Sequence, residues 1–224
     1  MVTGQQEYVP MKIALIGGTG FVGTAVLEEA LARGHHVVAL ARDPAKYAAR
    51  ERLSVVHADV QDSAQVAAAV AGTDAVVSAF NPGWTVANIG ALFTTGHRAI
   101  MQGTKQSGVK RILVVGGAGS LYVAPGKQLI DTPEFPKDIY EGAHAARQAL
   151  DEMRGEQELE WTFLSPPVFL AAGERSGRYR TGGENPLMDG EKPAGISVKD
   201  MAVAILNEIE APKHLRARFT VASA

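Results

Sequence analysis

No cysteine occurs among the 224 residues. That excludes disulfides, thiolate zinc sites, iron–sulfur clusters and a cysteine nucleophile. No apolar run approaches the ~20 residues that a membrane-spanning helix needs. Neither sign of charge is in excess: 22 Lys and Arg stand against 24 Asp and Glu, a formal net charge of −2. Nothing therefore draws the whole chain to nucleic acid or an anionic membrane. There is no GK[ST] phosphate loop, no GxSxG elbow and no HExxH among the scattered histidines, so P-loop hydrolysis, esterase chemistry and a metal site are not expected. The first ten residues, MVTGQQEYVP, lack an apolar core and read as a disordered or extended tail rather than a signal peptide. These absences leave a soluble, cytoplasmic protein whose partner is a small molecule. The content of 46% hydrophobic and 21% charged residues is that of a globular chain.

What is present is an alternation of short apolar runs with helical periodicity. Strands are expected at Lys12–Ile16, His36–Ala41, Leu53–His57, Ala75–Phe80, Ile112–Val115, Glu160–Leu164 and Phe219–Ala222. Helices are expected at Phe21–Arg33, Ser63–Ala71, Val86–Ser107, Ile139–Arg154 and Lys199–Glu210, the last with Ser197 and Asp200 at capping-box spacing. Near-continuous apolar strands separated by helices predict an α/β fold, a doubly wound parallel sheet covered on both faces. Leu121–Asp138 and Pro166–Ala194 lack regular pattern and follow strand ends, so they read as walls of a substrate cleft. Lys110 and Arg111 read as a solvated pair, and Trp84 and Trp161 as packing residues.

Ile16 is followed by GGTGFVG, with Gly17, Gly20 and Gly23 at GxxGxxG spacing between a strand and a helix. Gly17 permits the tight turn, Gly20 lets backbone N–H groups approach a pyrophosphate, and Gly23 permits close helix–strand packing. Thr19, Phe21 and Val22 lie in the same loop. The context predicts dinucleotide binding. The second strand ends at Arg42, where an NAD site usually carries an acid, and Lys46 follows. A guanidinium there suits a 2′-phosphate, so NADP(H) is preferred over NAD(H); the other reading is a solvated Arg42 with Asp43 on a ribose. Asp59 and Val60 suit an adenine contact, although Asp59 equally suits a turn cap. Ala79, Phe80 and Asn81 follow the fourth strand beside the expected cofactor.

The segments MKIALIGGTGFVG, ALARDPAK, GVKRILVVGGAGSL, WTFLSPP and GISVKDMA resemble the atypical short-chain dehydrogenase/reductases. The likeness is to the NmrA-like and NAD(P)H-flavin or biliverdin-reductase-like branch, whose members are often called NAD-dependent epimerase/dehydratases. It covers about Met11 to the C-terminus. The resemblance implies one Rossmann domain over residues 11–224, with residues 166–194 as loops of a small C-terminal substrate lobe, in a monomer or homodimer.

Short-chain dehydrogenases use Tyr-x-x-x-Lys on a helix and a preceding Ser. Here Tyr140 has His144 in the lysine position, which weakens a proton-donor role for the tyrosine. Ser120 is a candidate for a substrate carbonyl or a turn hydroxyl. Gly117 lies where small residues would admit the nicotinamide, with Leu121 and Tyr122 expected in the pocket wall. Pro166 either passes the nicotinamide or stiffens a strand exit. Direct hydride transfer to a conjugated acceptor, of flavin or quinone type, needs little side-chain chemistry. That makes an NAD(P)H-dependent oxidoreductase the first reading. An NmrA-like dinucleotide sensor without catalysis and an epimerase/dehydratase of sugar-type substrates are the alternatives.

Overall fold

The structure is a computed structural model and describes residues 9–224. Residues 1–8 of the expected tail lie outside the described residues; Val9 and Pro10 are exposed and irregular. In chain order the elements are β1 (Lys12–Ile16), α1 (Phe21–Ala32), β2 (His36–Ala41), β3 (Leu53–His57), α2 (Ser63–Val70), β4 (Ala75–Ser78), α3 (Ile89–Ser107) and β5 (Arg111–Val115). A small hairpin follows, β6 (Tyr122–Ala124) with β7 (Lys127–Gln128), and then α4 (Tyr140–Arg154) and β8 (Glu160–Ser165). The last part holds β9 (Phe169–Ala171), β10 (Tyr179–Gly182), β11 (Met188–Asp189), β12 (Lys192–Pro193), β13 (Gly195–Ser197), α5 (Val198–Glu210) and β14 (Ala217–Ser223).

The main sheet has eight strands in the order β10-β14-β8-β5-β4-β1-β2-β3. Seven are parallel, and β10 pairs antiparallel with β14 at the edge. Alternation along each strand sorts the core into two layers. Ala14, Ile16, Val76, Ile112, Val114 and Phe163 pack under α2, α3 and α4. Ile13, Leu15, Val77, Leu113, Leu164 and Phe219 pack under α1 and α5. The chain is thus one doubly wound α/β domain of Rossmann type. Among the described residues no helix is long and apolar enough to cross a membrane.

Several local expectations are corrected. Residues 166–194 are not all loop: β10 joins the main sheet and β9 pairs with β13. Tyr179–Gly182 has no apolar run because it sits at an edge and is held by backbone pairing. The third helix starts at Ile89, not Val86, since Asn88 takes a left-handed conformation with φ of 60°. Arg111 is buried, 6% exposed. Its guanidinium donates to Thr162 Oγ1 and the Glu160 carbonyl, both at 2.8 Å, and burial lowers its pKa. Only half of the expected capping box forms: Ser197 Oγ accepts from the Asp200 N–H at 3.0 Å. The Asp200 carboxylate turns away and accepts from the N–H groups of Ser176 and Gly177, each at 2.8 Å. The helix cap has become a clamp on the loop between β9 and β10.

Candidate functional site

A cleft of about 730 Å³ opens across the C-terminal ends of β1, β4, β5 and β8. In an open α/β sheet this is where strand order reverses and ligands bind. Gly17, Thr19, Gly20, Phe21 and Val22 line one end. Gly17 has φ of +81°, and a Cβ there would lie 2.4 Å from the Ala79 carbonyl oxygen. At Gly23 a Cβ would lie 2.0 Å from the Gly17 oxygen, so α1 can approach the turn only without a side chain at that position. The α1 N-terminus has no side-chain cap and no acid in its first turn. Its free N–H groups and positive dipole end therefore face the loop uncompensated, which suits a pyrophosphate.

Ala79, Phe80 and Asn81 also line the cleft, with Gly117 and Pro166 across it. The Phe80 ring stacks on Phe93 with centroids 6.0 Å apart, which fixes the wall to α3. Asn81 Oδ1 accepts from the Gly83 N–H at 2.7 Å and shapes the next turn. Arg42 and Lys46 are exposed at the end of β2 and in the single 3-10 turn Pro44–Lys46 that follows, outside the cleft lining. Asp43 is committed to capping that turn, accepting from the Ala45 N–H at 3.1 Å. Tyr47, unforeseen in the sequence, packs its hydroxyl 2.6 Å from the Cβ position of Gly18, and burial raises its pKa. Asp59 accepts from the Gln61 N–H at 3.0 Å and Val60 is in the core, so neither lines the cleft.

The three candidates for chemistry lie elsewhere. Tyr140 and His144 line a separate outer groove of about 520 Å³ between α3 and α4, with Gly90 and Thr94 opposite. Their rings stack, centroids 5.9 Å apart. The face that α4 turns to the cleft carries Gly142, Ala143 and Ala146, with Ile139 just before it. The two faces adjoin: Tyr140 lies one turn before Ala143, and its ring meets the edge of the cleft residue Phe135, centroids 6.3 Å apart. Ser120 is buried, and its hydroxyl meets the guanidinium of Arg218 at 3.4 Å and the Gly117 carbonyl at 3.4 Å. Leu121 is fully buried and Tyr122 is half-buried, both outside the cleft lining.

The far end of the cleft was only partly foreseen. Trp84 is 56% exposed at its rim rather than packed inside, whereas Trp161 is buried as expected. Trp84 Cζ3 lies 3.0 Å from the Cβ position of Gly142, so the indole leans on α4. Leu129, Thr132, Glu134, Phe135 and Pro136 form one wall, and Val168 and Leu170 another. The NPGW sequence after β4 was the available signal for Trp84: a turn that projects an aromatic beside a strand end. Two of the histidines are buried in the fold. His35 Nδ1 accepts from the Met11 N–H at 3.0 Å, and burial lowers the His97 pKa to about 4. Among the described residues no group of three His, Asp or Glu could hold a metal ion.

A family model described as NAD(P)H-binding matches residues 17–212. The chain is 38% identical over 218 residues to the uncharacterized protein YwnB of Bacillus subtilis, covering 95% of this chain and 99% of that one. A solved structure from Bacteroides thetaiotaomicron, named provisionally an epimerase, superposes with a TM-score of 0.89 at 42% identity, covering 96% of this chain and 98% of that chain. Another from Streptococcus pneumoniae, named provisionally an NADH-flavin reductase, gives 0.80 at 32% identity, covering 96% and 100%.

Proposed function

The chain belongs to the NAD(P)H-binding family, and we propose that it is an NADPH-dependent oxidoreductase that reduces a small conjugated acceptor of flavin or quinone type. The observation that carries this reading is the α4 face in the cleft: Gly142, Ala143 and Ala146, with no hydroxyl, imidazole or amine. Reduction of an isolated carbonyl needs a proton donor at its oxygen. A conjugated acceptor spreads the incoming charge and can be protonated from solvent. When bound, the reduced nicotinamide supplies a hydride and is oxidised, while the acceptor takes that hydride and one proton from water.

The chain's own residues bind and orient. Backbone N–H groups of Thr19, Phe21 and Val22 hold the pyrophosphate, with the α1 dipole behind them, while the Gly20 N–H closes the turn onto the Gly17 carbonyl at 3.0 Å. Arg42, exposed and without an ion pair, meets the 2′-phosphate, with Lys46 beside it. Ala79, Phe80 and Gly117 admit the cofactor close to backbone, and Asp59 and Val60 lie toward its adenine end. The apolar wall of Phe135, Val168 and Leu170 excludes water and stacks the acceptor. Tyr140, Ser120 and His144 carry no proton in this scheme. The protein acts in the cytoplasm as a monomer or homodimer.

The test is anaerobic loss of NADPH absorbance with an uncharged quinone, riboflavin, FMN and biliverdin as separate acceptors. Turnover with at least one of them is expected. Tight NADPH binding with no turnover on any acceptor would overturn the reductase and favour a dinucleotide-sensing protein.

A further inference from the structure

The cleft outside the glycine-rich loop contains no Lys, Arg or His among its lining residues. Its single ionisable side chain is Glu134, exposed on the wall between Thr132 and Phe135 and without an ion pair. The backbone donors at the start of α4 are already matched by acids: Asp138 precedes it and Glu141 sits in its first turn. Lys127 and Lys137 are exposed and lie outside the cleft lining. Arg147, further along α4, is committed to Asp131 at 2.8 Å. Arg154 and Arg218 both pair with Glu184. No cation of the elements that form this wall therefore lines the cleft itself.

An anionic group entering such a site loses its hydration and finds an apolar wall and a carboxylate. The pyrophosphate escapes this penalty only because the α1 N-terminus lies at the other end. We infer that the acceptor is uncharged: a planar conjugated ring system bearing neither phosphate nor carboxylate, with Glu134 as the specificity-determining residue that repels anionic analogues. This rests on the oxidoreductase reading for the place of the acceptor, but it concerns which acceptor the cleft admits.

Riboflavin and FMN test it, since they share one ring system and differ by a phosphate. Their binding to the protein–NADP+ complex is followed by flavin fluorescence, and their reduction by NADPH consumption. The expected result is riboflavin favoured by about tenfold or more in both, the scale of one partly screened like charge and a missing counter-ion. The preference narrows in Glu134→Gln and narrows further in Glu134→Lys. It is unchanged by Glu158→Gln, a surface control before β8, away from the strand ends that form the cleft. Equal binding of the two flavins, or binding of neither, would overturn the inference. Selective riboflavin binding without any NADPH oxidation would uphold it and overturn the reductase reading alone.

Discussion

At one end of the cleft, every lining residue from Gly17 to Val22 belongs to a single strand–turn–helix. At the other end, Trp84, Phe135, Gly142 and Val168 come from four separate segments. The first end is fixed by backbone sterics within a few residues. The second is assembled by long-range contacts such as Trp84 against Gly142, and the loops outside its lining are tied by Arg218 to Ser165 at 3.2 Å and to Glu184, Asn185 to the Tyr122 carbonyl at 2.7 Å, and Asp200 to Ser176. A dinucleotide needs the same cradle in every relative, and a local motif delivers it. Loops assembled by distant contacts can change the acceptor without touching that cradle.

Five substitutions probe this contrast. Gly23→Val introduces a side chain where even a Cβ lies 2.0 Å from the Gly17 oxygen. It is expected to cost roughly 3 kcal/mol or more and to abolish NADPH binding, read by urea denaturation and by a cofactor titration. Retained binding would show that the loop is less constrained than its geometry requires.

Arg218→Met attacks the other end. The guanidinium is buried, but Glu184 is 47% exposed and can regain water once unpaired. The loss is expected to be roughly 1–3 kcal/mol, with NADP+ affinity nearly kept and proteolysis faster between residues 183 and 191. Equal losses of cofactor and acceptor binding would mean that the two ends are one cooperative unit.

Arg42→Ala should weaken NADPH by about tenfold, the loss of a charge-assisted contact in water, and leave NADH unchanged in parallel titrations. Identical effects on both would return Arg42 to the role of a solvated charge. Tyr140→Phe and His144→Ala carry the smallest expected effect, less than about twofold in kcat/KM, because a residue that touches neither cofactor nor acceptor contributes little to the barrier. A hundredfold loss in either would bring the outer groove into the reaction.

The strand–helix alternation was legible because each strand carries its own apolar run and each helix its own period. The glycine loop was legible for a related reason: Gly23 is demanded by the nearby Gly17 carbonyl and Gly17 by its own turn with φ of +81°, although the close approach at Gly17 is to Ala79 on another strand end. Tyr140 and His144 share a helical face, as their spacing said. Which way that face points was not in the spacing: it lines the outer groove. Three small residues, Gly142, Ala143 and Ala146, were the available signal for a face packed close to something.

By itself, then, the sequence determined the elements, the doubly wound sheet and the dinucleotide loop, since each depends on interactions among near neighbours. Tertiary structure alone decided the rotation of α4, the burial of Arg111 and Arg218, the edge strand β10 and the placing of Trp84 and Glu134 around the far end of the cleft. Those outcomes turn on which surfaces meet across long stretches of chain, as Arg218 and Ser120 do over 98 residues. No local pattern records such a meeting, because its energy exists only once both partners are in place.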